Sequence, residues 1–417
     1  MDGNYKVATE LGLLALVLVT GLILTNPAVL LLALPIVLHV TLGLVLCDQG
    51  RELLVRRSLS AHRIYEGDRL AVELVVHKPG DGPDLVLISE ETELAGHAIE
   101  GSASLAKRIL AGETLVASYA ARPLRGFYPL ENARLCARDL LGFVTWEGDF
   151  PCPTPLWVLP RYERVGRVML APRRTLSLPG AARSRRGGVG VQFFATRPYV
   201  AGDDLRRLNW RALARRGKLV VNLYEEERAA EVTVVLDGRD RVYQIPNGRE
   251  IFDQAVRACA ALCDSAIRDG HRTGLLLYGE RLEWVPAGSG RMQSERIVQG
   301  LARAGLGSSE AFADLGSLPT RLFPGGSSVI IVSAFAPGDE QALGMLRARG
   351  YDVLALVPHI PLSTKAEQTP SGLAERLLAL EREVMLQVLM SAGVRVSVWD
   401  VNTPLASLVK TAWRRRL

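Results

Sequence analysis

At 417 residues the chain exceeds one ordinary hydrophobic core, so two or three domains are expected. A net charge of +6 and a pI of about 9.2 point to an anionic neighbour, and an anionic membrane surface accounts for them without nucleic acid. Five cysteines, odd in number and scattered, exclude a disulfide framework and suit a reducing compartment.

The first element read along the chain is a charge-free stretch between Glu10 and Asp48. As one helix it would be about 55 Å long, far beyond the ~30 Å hydrocarbon core of a bilayer. Asn26-Pro27 divides it, because proline starts helices and disfavours helix in the residue before it. The expectation is a two-helix transmembrane hairpin over residues 1–50, with spans of roughly 7–25 and 28–47. A cleaved signal peptide would need a basic start and a single apolar core, and neither is present. Arg51, Arg56, Arg57 and Arg63 follow the second span. By the positive-inside rule they place both termini and the domains beyond in the cytoplasm, anchored to the lipid bilayer of the cell membrane as a multi-pass protein. His39 within the second span reads as a helix-packing hydrogen-bonder, and Cys47 falls at the membrane edge.

Residues 51–165 change texture. Alternation such as Leu70-Ala71-Val72-Glu73-Leu74-Val75-Val76, punctuated by Lys78-Pro79-Gly80-Asp81-Gly82-Pro83, signals short antiparallel strands. An immunoglobulin-like β-sandwich is expected there. Arg125-Gly126-Phe127-Tyr128 and Asp139-Leu140-Leu141-Gly142-Phe143 read as turns with aromatic plugs.

A basic connector, residues 166–228, comes next. It carries Arg183, Arg185 and Arg186, then Phe193-Phe194, then Asp203-Asp204-Leu205-Arg206-Arg207-Leu208-Asn209-Trp210-Arg211 and Arg215-Arg216-Gly217-Lys218. Asp203 suits a helix N-cap and Gly217 the position past its end, giving a helix over about 204–216. Phosphate-loop and dinucleotide fingerprints are incomplete here. Asp203, Asp204, Arg206, Arg207, Trp210 and Arg211 are taken as a structural or partner-binding element, with no nucleic acid expected.

From residue 229 to 417 apolar strands alternate with helices: strands near 232–236, 274–278, 329–332, 353–357 and 394–398, and helices near 249–268, 291–304, 341–349, 373–390 and 405–413. That is a mostly parallel, Rossmann-like sheet covered on both faces. Ligands in such sheets sit at the carboxyl ends of the strands, which brings forward Asp237 and Ser333. Cys259 and Cys263, four apart on a helix, lack the second pair a zinc site needs.

The connector residues Arg197, Tyr199, Gly202-Asp203-Asp204, Arg206, Trp210 and Ala214-Arg215, with Tyr224-Glu225 and Leu236-Asp237 downstream, resemble the signature of the domain-of-unknown-function family fifty-eight. Gln192 stands where that family commonly has Glu. The resemblance implies a membrane-anchored chain, a sandwich, and a von Willebrand factor A-like α/β domain. It also implies a MoxR-type AAA+ ATPase as partner and no established enzymatic activity. Adhesion-type A domains hold a dication on Asp-x-Ser-x-Ser, a set of hard oxygens. This chain reads Asp237-Gly238-Arg239-Asp240-Arg241, with arginines for both serines, and Ser333-Ala334 offers no carboxylate, so neither metal nor cofactor is expected. Arg239 or Arg241 would instead grip an acidic partner through paired N–H donors, or both would simply pair with Asp240 or with solvent. The expected function is a protein-interaction scaffold, an adaptor of the ATPase without catalysis of its own. The alternatives are an enzyme with its site around Asp237 and a metal-dependent adhesion domain. Against an enzyme stands the lack of a nucleophile elbow or a His-Glu-x-x-His motif.

Overall fold

The computed structural model describes residues 3–45, 53–79, 85–91, 94–101, 107–109, 112–139, 145–168, 170, 175–177, 183–309, 314–360 and 370–412. The turn read at 80–83, the plug at 140–143, Cys47 and Arg51 lie outside them. The chain divides into two compact units, Met1–Leu159 and Pro160–Leu417.

The first unit begins with three helices, α1 (Gly3–Ile23), α2 (Pro27–Leu31) and α3 (Ala33–Val45). Asn26 caps α2 by accepting from the Ala28 N–H, and Pro27 takes its first position, the place proline prefers. The apolar run breaks again at Leu32, so α3 has only 13 residues. That is about 20 Å of rise, and the uncharged part of α1 beyond Glu10 is no longer. Among the described residues no helix is long and apolar enough to cross a membrane. The expectation of a multi-domain membrane protein with an N-terminal two-helix transmembrane hairpin is therefore corrected: the fold is α/β with mixed sheets. His39 Nε2 lies 3.6 Å from Glu10 Oε1, between α3 and α1.

Among the described residues eleven strands follow: β1 (Leu54–Leu59), β2 (Arg63–Tyr65), β3 (Leu70–His77), β4 (Leu85–Glu91), β5 (Ala98–Gly101), β6 (Lys107–Ile109), β7 (Thr114–Ala121), β8 (Gly126–Tyr128), β9 (Asn132–Asp139), β10 (Thr145–Pro151) and β11 (Leu156–Leu159). They make two four-stranded antiparallel sheets, β1-β3-β7-β5 and β10-β9-β4-β6. A three-stranded mixed sheet, β2-β11-β8, completes the unit. The alternation read in β3 is its burial pattern: Leu70, Val72, Leu74 and Val76 are buried, and Ala71 and Glu73 exposed. Leu74, Val76 and Leu115 of one sheet share a core with Ile109, Ala133 and Leu135 of the other. Arg57 is 3% exposed and donates to the Leu130 and Asn132 carbonyls and to Thr154 Oγ1. A guanidinium so buried is held by hydrogen bonds, so Arg57, one of the arginines of the positive-inside reading, is packed within this unit.

The second unit runs β12 (Thr175–Ser177), β13 (Arg183–Pro198), α4 (Trp210–Arg216), β14 (Val220–Asp237), α5 (Gly248–Arg268), β15 (Arg272–Tyr278), β16 (Glu283–Gly288) and α6 (Arg291–Arg303). It continues through β17 (Ser328–Val332), α7 (Asp339–Ala348), β18 (Asp352–His359), α8 (Pro370–Ser391), β19 (Arg395–Asp400) and α9 (Leu405–Ala412). The main sheet has the order β16-β15-β14-β17-β18-β19. Its pairs are parallel except β15 with β16, and β12 and β13 join the first half of β14 antiparallel. Successive residues of β14 serve opposite faces, as a strand's period of two requires. Val234 and Leu236 pack in a core with α5, α6 and α9. Val235 packs in another with α7 and α8. Cys259 and Cys263 are buried on α5, where burial pushes both thiols up, and they serve as apolar filling.

Candidate functional site

The carboxyl edge of the main sheet begins where β14 ends. Asp237 is its last residue and is fully buried. Its neighbour two residues on, Arg239, is 3% exposed and folds back on it: Nε donates to Asp237 Oδ1 at 2.9 Å and Nη2 to Oδ2 at 2.7 Å. The same guanidinium reaches a second carboxylate, Asp339, in the first turn of α7, through Nη1 at 3.0 Å and Nη2 at 2.7 Å. Two bidentate pairs on one side chain use the planar geometry that distinguishes arginine from lysine. Burial alone would lower the Arg239 pKa, but hydrogen bonds and charge from Asp237 and Asp339 outweigh it and hold the group above its ordinary value.

The loop after β17 builds the far wall. Ser333 Oγ donates to Asp237 Oδ2 at 2.6 Å and accepts from the Phe335 N–H at 2.8 Å. Asp339 Oδ2 also accepts from the Ala336 N–H at 2.8 Å. Phe335 has φ +54°, a left-handed backbone that a bulky residue rarely adopts, so this loop is held by its surroundings. Arg382 of α8 donates to the Ala334 carbonyl at 3.0 Å, and burial lowers its pKa. Tyr243, beneath the loop after β14, is buried with its hydroxyl unpartnered among the described residues. Burial, then the charge of Asp237, pushes that hydroxyl well up. Gly248 starts α5 against Tyr243, where an added Cβ would fall 1.8 Å from the Tyr243 carbonyl oxygen.

Sequence reading brought Asp237 and Ser333 to this edge, and the structure joins them. It missed Asp339. Ser333-Ala334 carries no carboxylate, and the acid lies past a turn at Gly338, whose φ is +97°. Arg239 does not pair with Asp240 but with Asp237 and Asp339. Arg241, at the rim of the edge, is 45% exposed and makes a longer ion pair with Asp339, its Nη2 3.9 Å from Oδ1. The arrangement does not fit a dication, because both carboxylates that would hold one already enclose a guanidinium. Among the described residues no group of three His, Cys, Asp or Glu could hold a metal. Beside the edge lies a cavity of about 420 Å³, floored by Leu236, Phe252 and Leu277. Its acids Glu280 and Glu283 are paired with Arg281 and Arg303.

The connector residues form a second cluster, on the ribbon of β13 and the first half of β14. Asp203 caps no helix. It takes Arg197 through two hydrogen bonds of 2.7 and 2.5 Å, and accepts from the Val200 N–H. Those bonds lower the Asp203 pKa and raise that of Arg197. Asp204 caps a single 3-10 turn, Leu205–Arg207, and Asn209 caps α4 through the Ala212 N–H. The expected helix over 204–216 is thus a turn and a seven-residue helix. Gly217 ends α4 with φ +61°, as the C-terminal glycine rule expects.

Residues 195–368 match the family described as "Protein of unknown function DUF58". The match runs from the connector through β18, so both clusters fall within it. Uncharacterized protein YeaD of Bacillus subtilis (strain 168) is 23% identical over 276 residues, 65% of this chain and 67% of that one. Among solved structures, proximal thread matrix protein 1 from the mussel byssus aligns with a TM-score of 0.28 at 15% identity, covering 44% of this chain and 47% of that one.

Proposed function

We propose that the chain is a protein-interaction scaffold, an adaptor of a MoxR-type AAA+ ATPase with no catalysis of its own, whose von Willebrand factor A-like unit meets its partner at the carboxyl edge of the sheet. The observation that carries this reading is the guanidinium of Arg239, buried between Asp237 and Asp339. Ligands of parallel sheets gather at this edge. An adhesion-type domain places there a dication that grips a partner carboxylate. This chain places a fixed internal cation in its stead and leaves Arg241 at the rim, half exposed. A guanidinium at a rim offers paired N–H donors to a carboxylate without any metal.

The test is binding of the full chain to the purified ATPase, with and without ATP and with EDTA. Arg241→Glu is expected to weaken binding at least tenfold, while EDTA changes nothing in the arm without ATP, because a like charge replaces the attractive one at a contact. Unchanged affinity in Arg241→Glu, with the circular dichroism spectrum of the parent, would remove the edge from the interface.

A further inference from the structure

The ribbon cluster has a composition that its structural role does not use. Leu208 is buried against Val221, which it meets in an isolated bridge. Asn209 Nδ2 donates to Asn222 Oδ1 at 2.9 Å, tying the start of α4 to β14. With those anchors in place, Val200, Leu205, Trp210 and Leu219 are left 61, 61, 63 and 48% exposed. Backbone hydrogen bonds gather them: Tyr199 N to Leu219 O, Asn209 N to Val220 O, and Leu208 N to Leu205 O. Around them stand Arg206, Arg211, Arg215, Arg216 and Lys218, all exposed and none in an ion pair with a described residue. From 199 to 219 the chain carries six cations and two carboxylates, and Asp203 is already bound to Arg197.

We infer that this face docks an acidic segment of a partner protein that carries its own apolar anchors. Tryptophan and arginine are the side chains that most often dominate protein interfaces. Here the tryptophan and three aliphatic neighbours supply the dry centre, and the cations supply a rim complementary to carboxylates. The anchors at Leu208 and Asn209 fix the face before binding, which reduces the ordering cost. A lipid surface is the poorer occupant. Helices that lie in membranes present a long apolar face, whereas α4 has seven residues. This inference is independent of the ATPase reading, since its residues are not those of the carboxyl edge.

The full chain, with Leu205 replaced by the photoreactive p-benzoylphenylalanine, is irradiated in cells and the cross-linked product is mapped. The expected product is a protein segment of net negative charge containing large apolar residues. A synthetic peptide of that segment is expected to bind the purified full chain, with affinity reduced at least tenfold by Arg211→Glu/Arg215→Glu and unaffected by Arg241→Glu. Adducts on lipid or nucleic acid, adducts on a neutral or basic segment, the absence of any adduct, or peptide binding indifferent to the double substitution would each overturn the inference. Loss of ATPase binding in Arg241→Glu with this peptide still bound separates the two readings.

Discussion

Arg239→Met lowers the stability of the chain by about 3–5 kcal/mol, measured as the urea unfolding free energy of its C-terminal unit. The magnitude follows from what is left behind: removing one member of a buried ionic group strands its partners without compensation. Here two carboxylates, Asp237 and Asp339, are both fully buried and both bound by the Arg239 guanidinium, with only Asp339 also facing Arg241, at 3.9 Å. Methionine fills a similar volume, so the loss reports charge and hydrogen bonding more than a cavity. Arg239→Lys retains the charge but not the fork, and falls between the parent and Arg239→Met. Removing the stranded charges as well, in Arg239→Met/Asp237→Asn/Asp339→Asn, recovers part of the loss, because a buried ionic group replaced whole costs far less than one broken. A change under about 1 kcal/mol in Arg239→Met would mean that the guanidinium does not bridge the two acids.

The same cluster shows where sequence reasoning reaches and where it stops. Asp237 was legible because an apolar run of the right length ended on it, and the edge of a parallel sheet is a rule of topology. Asp339 was not, because it lies 100 residues beyond Arg239 and its approach depends on how the loop after β17 bends. Central strands such as β17 and β18 and helices such as α5 were legible from their periodicity alone. Strand β16 was not: Pro286 argues against a central strand and is tolerated because β16 lies at the sheet's edge. The stretch 183–198 was read as a charged connector, yet β14 extends back beyond the main sheet and gives it a partner. Asp203 had the sequence signature of an N-cap, and lost that role to Arg197, whose two donors hold it more strongly than one backbone amide. At the N-terminus the division at Asn26-Pro27 was legible, and the second break at Leu32 has its cause in Pro35, the third residue of α3, which has no N–H for the Leu31 carbonyl four residues back, although hydropathy does not report it. The arginines of the ribbon were legible as a basic element. Their grouping with Val200 and Leu219 needed the pairing of Tyr199 with Leu219, a tertiary fact.

Lowering the pH from 7 to 4.5 costs the chain about 2 kcal/mol through His271 alone. His271 follows the end of α5, is 7% exposed, and its Nδ1 accepts the Ala230 N–H at 3.2 Å. Accepting there requires the neutral ring, since a protonated imidazole has no acceptor. Burial, aided by the charge of Arg167, pushes the pKa down to about 4. Above pH 6.5 the ring is neutral folded or unfolded, and its full contribution to stability is present. As the pH falls from 6.5 toward 4 the unfolded chain binds a proton that the folded chain refuses, and that contribution is lost. The gap between the two pKa values sets a ceiling of about 3 kcal/mol. Asp269, beside Arg167 and Arg268, has its carboxyl raised by burial, which makes its own contribution grow as the pH falls, so the total slope mixes the two groups. His271→Asn isolates one of them: its amide oxygen can still accept from Ala230, and it does not titrate. The variant is expected to be less stable than the parent at pH 7 by about 1 kcal/mol, and the difference to close and then reverse by pH 4.5. Parallel stability curves for parent and variant between these two pH values would show that His271 takes up its proton as readily in the folded chain as outside it.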